Sequence, residues 1–100
     1  MKYIITESRL NNLIYNYLDD NFSDLHTELN PMFKQYVYYF KGSEMIFVYT
    51  LRTEQVVTED VHMFSPLEHM FSMSQKQLIP IVREWLSKTY NIPIKGFKVL

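Results

Sequence analysis

The sequence predicts one α+β domain over residues 1–100, a two-layer sandwich in which an antiparallel sheet built on a hairpin at 33–52 carries two main helices on one face. Three observations predict it. Phe33 to Arg52 consists of two aromatic-rich apolar runs joined by Lys41-Gly42-Ser43-Glu44, the pattern of a β-hairpin. Two other stretches, Leu10–Leu18 and Leu78–Leu86, carry apolar residues at helical spacing. Each helix must bury its stripe, and the aromatic face of the sheet is the only surface large enough to receive both. The order of elements also fits a ferredoxin-like βαββαβ arrangement.

Lys2–Ile5 is a short apolar run that reads as a first strand, and Thr6 is placed to cap a helix with Glu7 at its positive end. From Glu7 to about Asp20, Leu10, Leu13, Ile14, Tyr17 and Leu18 fall at i, i+3, i+4, i+7 and i+8, with Asn11, Asn12, Asn16 and Asp19 opposite them. Between Asp20 and Pro31 the periodicity fails. A helical turn around Ser23–Leu29, capped by Ser23 and tucking Phe22 and Leu25 under the sheet, is the expected filling of so long a connection.

In the hairpin, Gly42 supplies the positive φ that the first central position of a II′ turn requires, so a two-residue Gly42-Ser43 loop sets the register. Phe40 then faces Met45, Tyr38 faces Phe47 and Tyr36 faces Tyr49 on one side, which is nearly all apolar and is assigned to the core. On the mixed side Tyr39 faces Ile46 and Val37 faces Val48. Val37, Tyr39, Ile46 and Val48 are therefore expected as an outward patch rimmed by Lys41 and Glu44.

Thr53–Thr58 either prolongs the second hairpin strand or turns near Glu54-Gln55 into a third. Ser65-Pro66-Leu67-Glu68 has capping-box spacing with proline at the first helical position, and opens one or two turns through Phe71. Ser74-Gln75-Lys76-Gln77 is a second box, and the stripe Leu78, Ile81, Val82, Trp85, Leu86 defines the C-terminal helix. Pro80 is expected to delay or bend that helix. Asn91 ends it in a left-handed conformation, and Ile92–Leu100 is a final extended segment that Pro93 confines to an edge or a strand start.

Composition narrows the function. With 47% hydrophobic and 16% aromatic residues the chain is globular with a ring-rich core. A net charge of −1 argues against a general nucleic-acid or membrane-surface binder, although residues 71–100 hold five bases against one acid while residues 1–70 hold five against ten. The absence of cysteine excludes disulfides, thiolate-bound zinc and a cysteine nucleophile, and suits a reducing cytoplasm. No apolar run is long enough to span a bilayer, and the opening residues lack the apolar stretch of a signal peptide, so a soluble cytoplasmic protein without membrane contact is expected.

Glu59, Asp60, His62, Glu68 and His69 gather two histidines and three carboxylates within eleven positions, a set that could hold zinc or a harder metal. The histidines do not share a one-turn spacing and Glu68 is accounted for by its capping box, so a solvated acidic loop is the favoured reading and neither metal nor cofactor is assigned. The two glycines, Gly42 and Gly96, form no phosphate loop, and Ser8, Ser23, Ser65 and Ser74 sit where caps or turns want them. Tyr36, Tyr38 and Tyr39 beside Lys34, Lys41 and Arg52 suggest base stacking, but placing Tyr36 and Tyr38 in the core argues against it.

Two segments resemble a loosely defined group of short, uncharacterised proteins of tailed phages and marine viral sequences. They are the opening Ile4-Ile5-Thr6-Glu7-Ser8 with its Leu-rich helix, and the Trp85-Leu86 helix leading into Ile92-Pro93-Ile94-Lys95. The resemblance implies a viral origin and a small non-enzymatic protein acting in the host cytoplasm, and it carries no catalytic residues. The expected function is protein binding, led by homo-oligomerisation through the outward face of the hairpin. The alternatives are nucleic-acid binding through Lys88, Lys95 and Lys98, and modulation of a host protein by a viral one.

Overall fold

The computed structural model of the chain describes residues 7–100, with side chains from Arg9 onward. The strand expected at Lys2–Ile5 and the Thr6 cap lie outside the described residues. The architecture is α+β. Helix α1 (Glu7–Phe22) leads into strands β1 (His26–Leu29), β2 (Tyr36–Lys41), β3 (Glu44–Thr50) and β4 (Gln55–Thr58). Helices α2 (Asp60–Met63), α3 (Ser65–Phe71) and α4 (Gln75–Tyr90) then return the chain to β5 (Gly96–Val99). The five strands lie in the order β1-β2-β3-β4-β5. The first four form an antiparallel meander, and β5 pairs parallel to β4. A ferredoxin-like sheet interleaves its strands and is therefore not the topology adopted.

Where a helical turn is expected at Ser23–Leu29, the chain instead forms β1. All four of its residues are exposed, so no apolar alternation marks them in the sequence. Pairing of His26, Thr27, Glu28 and Leu29 with Phe40, Tyr39, Tyr38 and Val37 holds the strand in place.

The hairpin turn is as expected, with Gly42 at φ 62° and Lys41 opposite Glu44 and Phe40 opposite Met45. Beyond these pairs Ile46 has no partner, and the ladder resumes one residue later with Tyr39 opposite Phe47, Tyr38 opposite Val48, Val37 opposite Tyr49 and Tyr36 opposite Thr50. This β-bulge lets consecutive residues Ile46 and Phe47 both turn inward, at 3% and 1% exposure. It also reverses the expected sides of β2. Tyr39 is buried and Val37 packs against the core, whereas Tyr36, Tyr38 and Phe40 do not belong to it.

The core lies between the sheet and the helices. Ile14 and Leu18 of α1, Met63, Phe64 and Leu67 around α2 and α3, and Leu78, Val82 and Leu86 of α4 are fully buried against Phe47, Tyr49 and Val56. The Tyr39 and Phe47 rings stack at 4.2 Å, and Tyr90 meets both edge-on. Buried polar ends find partners. Trp85 Nε1–H donates to Asp19 Oδ1 at 2.8 Å, Tyr49 donates to the Pro93 carbonyl, and Thr58 Oγ1–H donates to the carbonyl of bulged Ile46 at 2.8 Å. Tyr90 hydroxyl donates to the Phe22 carbonyl and accepts from Leu25 N–H, tying the end of α1 to the end of α4.

The α4 capping box forms as expected, Gln77 N–H donating to Ser74 Oγ and Ser74 N–H to Gln77 Oε1. Asn91 closes the helix in the left-handed region at φ 53°. Pro80 neither delays the helix nor ends it, because its exposed ring lies on the solvent side and the helix runs unbroken from Gln75. The box expected at Ser65 does not form. Phe64, the residue before α3, already has helical dihedrals at the end of α2, so the chain makes no break for a cap to fill.

Candidate binding surface

The helices cover one side of the sheet, and strand alternation defines what the other side presents. Register places three rows across it. At the tip of the hairpin run His26, Phe40 and Met45; across the middle run Glu28, Tyr38, Val48, Val57 and Lys98; beyond them run Tyr36, Thr50, Gln55 and Gly96. None of Tyr36, Tyr38, Phe40, Met45, Val48 or Val57 packs against the core cluster. The inward alternates Val37, Val56, Phe97 and Val99 do belong to it or pack on it, which establishes the sidedness independently.

This open face is aromatic and organised by its own contacts. His26 stacks on Phe40 at 5.3 Å with ring planes 16° apart, and Tyr38 meets Phe40 edge-on at 6.4 Å. Asn30 Nδ2–H donates to Tyr38 hydroxyl at 2.7 Å, while Asn30 Oδ1 accepts from Met32 and Phe33 N–H, shaping the β1–β2 loop. That loop presents Met32 at 83% and Phe33 at 57% exposure, and Phe33 lies edge-on to Tyr36, prolonging the apolar surface.

The patch expected from Val37, Tyr39, Ile46 and Val48 is therefore not formed. Tyr39 and Ile46 are buried at 5% and 3%, Val37 faces the helices, and Val48 alone lies on the open side. Its expected rim is also dispersed. Lys41 Nζ–H donates to the Asn21 carbonyl and sits over the Phe22 ring, and Glu44 pairs with His62 Nδ1 at 2.9 Å. No local signal marks the bulge in the sequence, because Met45 to Tyr49 is one continuous apolar run with no alternation to be broken.

The titratable residues of 59–69 fall into two groups, His62 with Glu59 and Glu68 with Asp60. His62 is held between Glu44 on one ring nitrogen and Glu59 on the other, at 2.9 and 3.6 Å, so its two nitrogens address different carboxylates. Asp60 accepts from Gln75 Nε2–H at 3.2 Å. Crowding of its carboxyl, and next the neighbouring Asp60 carboxylate, push Glu68 above the ordinary range. His69 is exposed on α3. Among the described residues no three His, Cys, Asp or Glu side chains converge on one point as a metal would require.

The three lysines expected on phosphate have different settings, two of them beside a carboxylate. Lys88 pairs with Glu84 on α4 at 2.8 Å, Lys95 lies 4.0 Å from Glu54, and Lys98 projects from the open face of β5. A concavity of about 560 Å³ between α1 and the first turns of α4 is lined by Leu10, Asn11, Met73, Gln77, Pro80, Ile81 and Glu84. Glu84, its one ionisable group, is pulled below the usual carboxylate range by hydrogen bonds from Lys88 and then Tyr15, and so is not poised to carry a proton. No helix among the described residues is long and apolar enough to cross a membrane.

The fold and surface define a two-layer α+β protein in which the helices among the described residues cover one face of the sheet. No protein-family model matches the sequence, and neither a curated protein nor a solved structure matches it.

Proposed function

We propose that the protein is a non-enzymatic binding module that takes a protein partner, first of all another copy of itself, on the open face of its sheet. The observation that carries this reading is the middle row, which none of the described helices covers. Tyr38, Val48 and Val57 form an apolar centre flanked by one acid, Glu28, and one base, Lys98, an arrangement suited to a protein interface with an apolar core and charged rim. Resemblance of both ends of the chain to tailed-phage proteins supports a setting in which copies of the protein, other viral proteins, or proteins of a host cell are the candidates.

Molar mass by light scattering over a range of concentrations tests it. The wild type is expected to grow beyond monomer mass as concentration rises, and Val48→Lys to remain monomeric with an unchanged circular-dichroism spectrum. A concentration-independent monomer would overturn self-association.

A second reading rests on a separate observation: Tyr36, Tyr38 and Phe40 lie outside the core, where their rings could stack single-stranded bases. Titration with a labelled oligonucleotide at two salt concentrations decides it, since contact with phosphates requires affinity to fall steeply with salt.

A further inference from the structure

The charges on the middle row assign a symmetry to the self-association proposed above, and the inference rests on that reading. Across the open face the row runs Glu28, Tyr38, Val48, Val57, Lys98, one residue from each of the five strands. Val48 sits on the middle strand of the sheet and in the middle of the three rows, and so marks the centre of the face. Glu28 and Lys98 stand on the two edge strands, both exposed and neither in an ion pair among the described residues.

Two identical sheets that pack face to face are related by a two-fold axis lying between them. Two orientations keep the strands aligned. An axis running across the strands, along the row, places each residue of that row over itself, so Glu28 meets Glu28 of the other copy and Lys98 meets Lys98, with like charges at both edges. An axis running along β3 exchanges the edges: Val48 meets Val48 at the centre, Tyr38 meets Val57, and Glu28 meets Lys98 twice. Only the second arrangement is electrostatically complementary.

We infer that the partner of the open face is a second copy of this chain, packed as an aligned ten-stranded sandwich about a two-fold axis along β3, with Glu28 of each copy opposite Lys98 of the other. The dimensions suit it. Five strands about 4.8 Å apart and on average about five residues long at about 3.4 Å each give a flat footprint of roughly 24 by 17 Å. Side-chain relief and the exposed Met32–Phe33 loop bring the accessible area toward the about 800 Å² per partner typical of a specific complex. Packed sheets cross at about 30°, which displaces an edge about 10 Å from the axis by roughly 5 Å, an offset that long Glu and Lys side chains span.

Charge reversal tests the symmetry. Glu28→Lys alone sets the introduced ammonium against Lys98 at both ends, and Lys98→Glu alone sets the introduced carboxylate against Glu28 at both ends. Each is expected to weaken dimerisation about tenfold in sedimentation equilibrium. In an equimolar mixture of the two variants, the heterodimer sets lysine against glutamate at both ends about either axis, so the single variants decide the symmetry: without exchanged edges each keeps like charges at both ends, as the wild type does, and dimerises like it. With exchanged edges, the lysine introduced at position 28 of one copy meets the glutamate introduced at position 98 of the other, and the native Lys98 meets the native Glu28. A heterodimer of near wild-type affinity is therefore expected, identified by native mass spectrometry with one of the two variants nitrogen-15 labelled. If single variants dimerise like wild type, or the mixture does not recover, the symmetry is wrong while self-association stands. If the wild type stays monomeric at every concentration, both fail.

Discussion

Ile46 and Val48 lie two residues apart on β3, so a regular strand would place them on the same face; the bulge separates them. Replacing each in turn by lysine tests the sidedness of the sheet. At 3% exposure Ile46 is enclosed by core side chains, and loss of its side chain alone costs about 2–5 kcal/mol. A lysine ammonium in the same place adds several kcal/mol more, because among the described residues Thr58 is the only polar side chain buried in the core and no carboxylate is there to pair with it. A domain of this length has about 5–15 kcal/mol in total, so Ile46→Lys removes most or all of its stability. Val48→Lys keeps its ammonium in water on the open face and changes the monomer by no more than about 1 kcal/mol. Urea unfolding followed by the fluorescence of buried Trp85, at concentrations below any association, reports both. Equal midpoints for the two variants, or a larger loss at Val48, would refute the bulged register and with it the composition of the open face.

Tyr90→Phe removes both the hydrogen bond donated to the Phe22 carbonyl and the one accepted from Leu25 N–H, and is expected to cost about 1–3 kcal/mol, with Tm lowered by about 4–8 °C per kcal/mol. An unchanged Tm would show that the α1–α4 tie is energetically idle. Burial raises the pKa of Tyr39, Tyr49 and Tyr90 above 10.0, so in the alkaline range the unfolded chain loses these protons before the folded one does. The folded state then holds more protons, and stability present below pH 10 is expected to fall as pH rises beyond it. The share of tyrosinate absorbance that belongs to these three side chains should therefore appear together with loss of the circular-dichroism signal; its full appearance while that signal is intact would contradict the burial. Pro80→Ala restores a donor to the Lys76 carbonyl within α4 and is expected to stabilise the protein by about 2 kcal/mol in urea titration; a loss instead would mean that the proline ring contributes packing that outweighs its missing bond.

What the sequence made legible was local chemistry. The Ser74-Gln77 box, the Asn91 terminus, the Gly42 turn and the helical stripes through Ile14 and Leu18 or Val82 and Leu86 each depend on residues a few positions apart, and all are present in the fold. What failed depends on partners far away. β1 has no buried residue to announce it and exists because Phe40 to Val37 lie alongside. α2 removed the break that Ser65 needed to act as a cap. Sidedness of β2 failed for a sharper reason: a one-residue error of register inverts a strand, and the expected patch combined three inward residues with one outward. The outward face of the hairpin thus carries other side chains than those expected, Val48 excepted.

Strand β5 pairs with β4 across the whole of α2, α3 and α4, whereas β1, β2 and β3 each pair with the strand that follows after a short loop. During synthesis the meander can therefore assemble in the order in which it leaves the ribosome. β4 must meanwhile wait with Val56 and Val57 beside an unpaired edge until the segment around Phe97 arrives. Such a waiting edge is what chaperones guard in newborn β proteins, and translation speed through α2–α4 sets how long this one stays open.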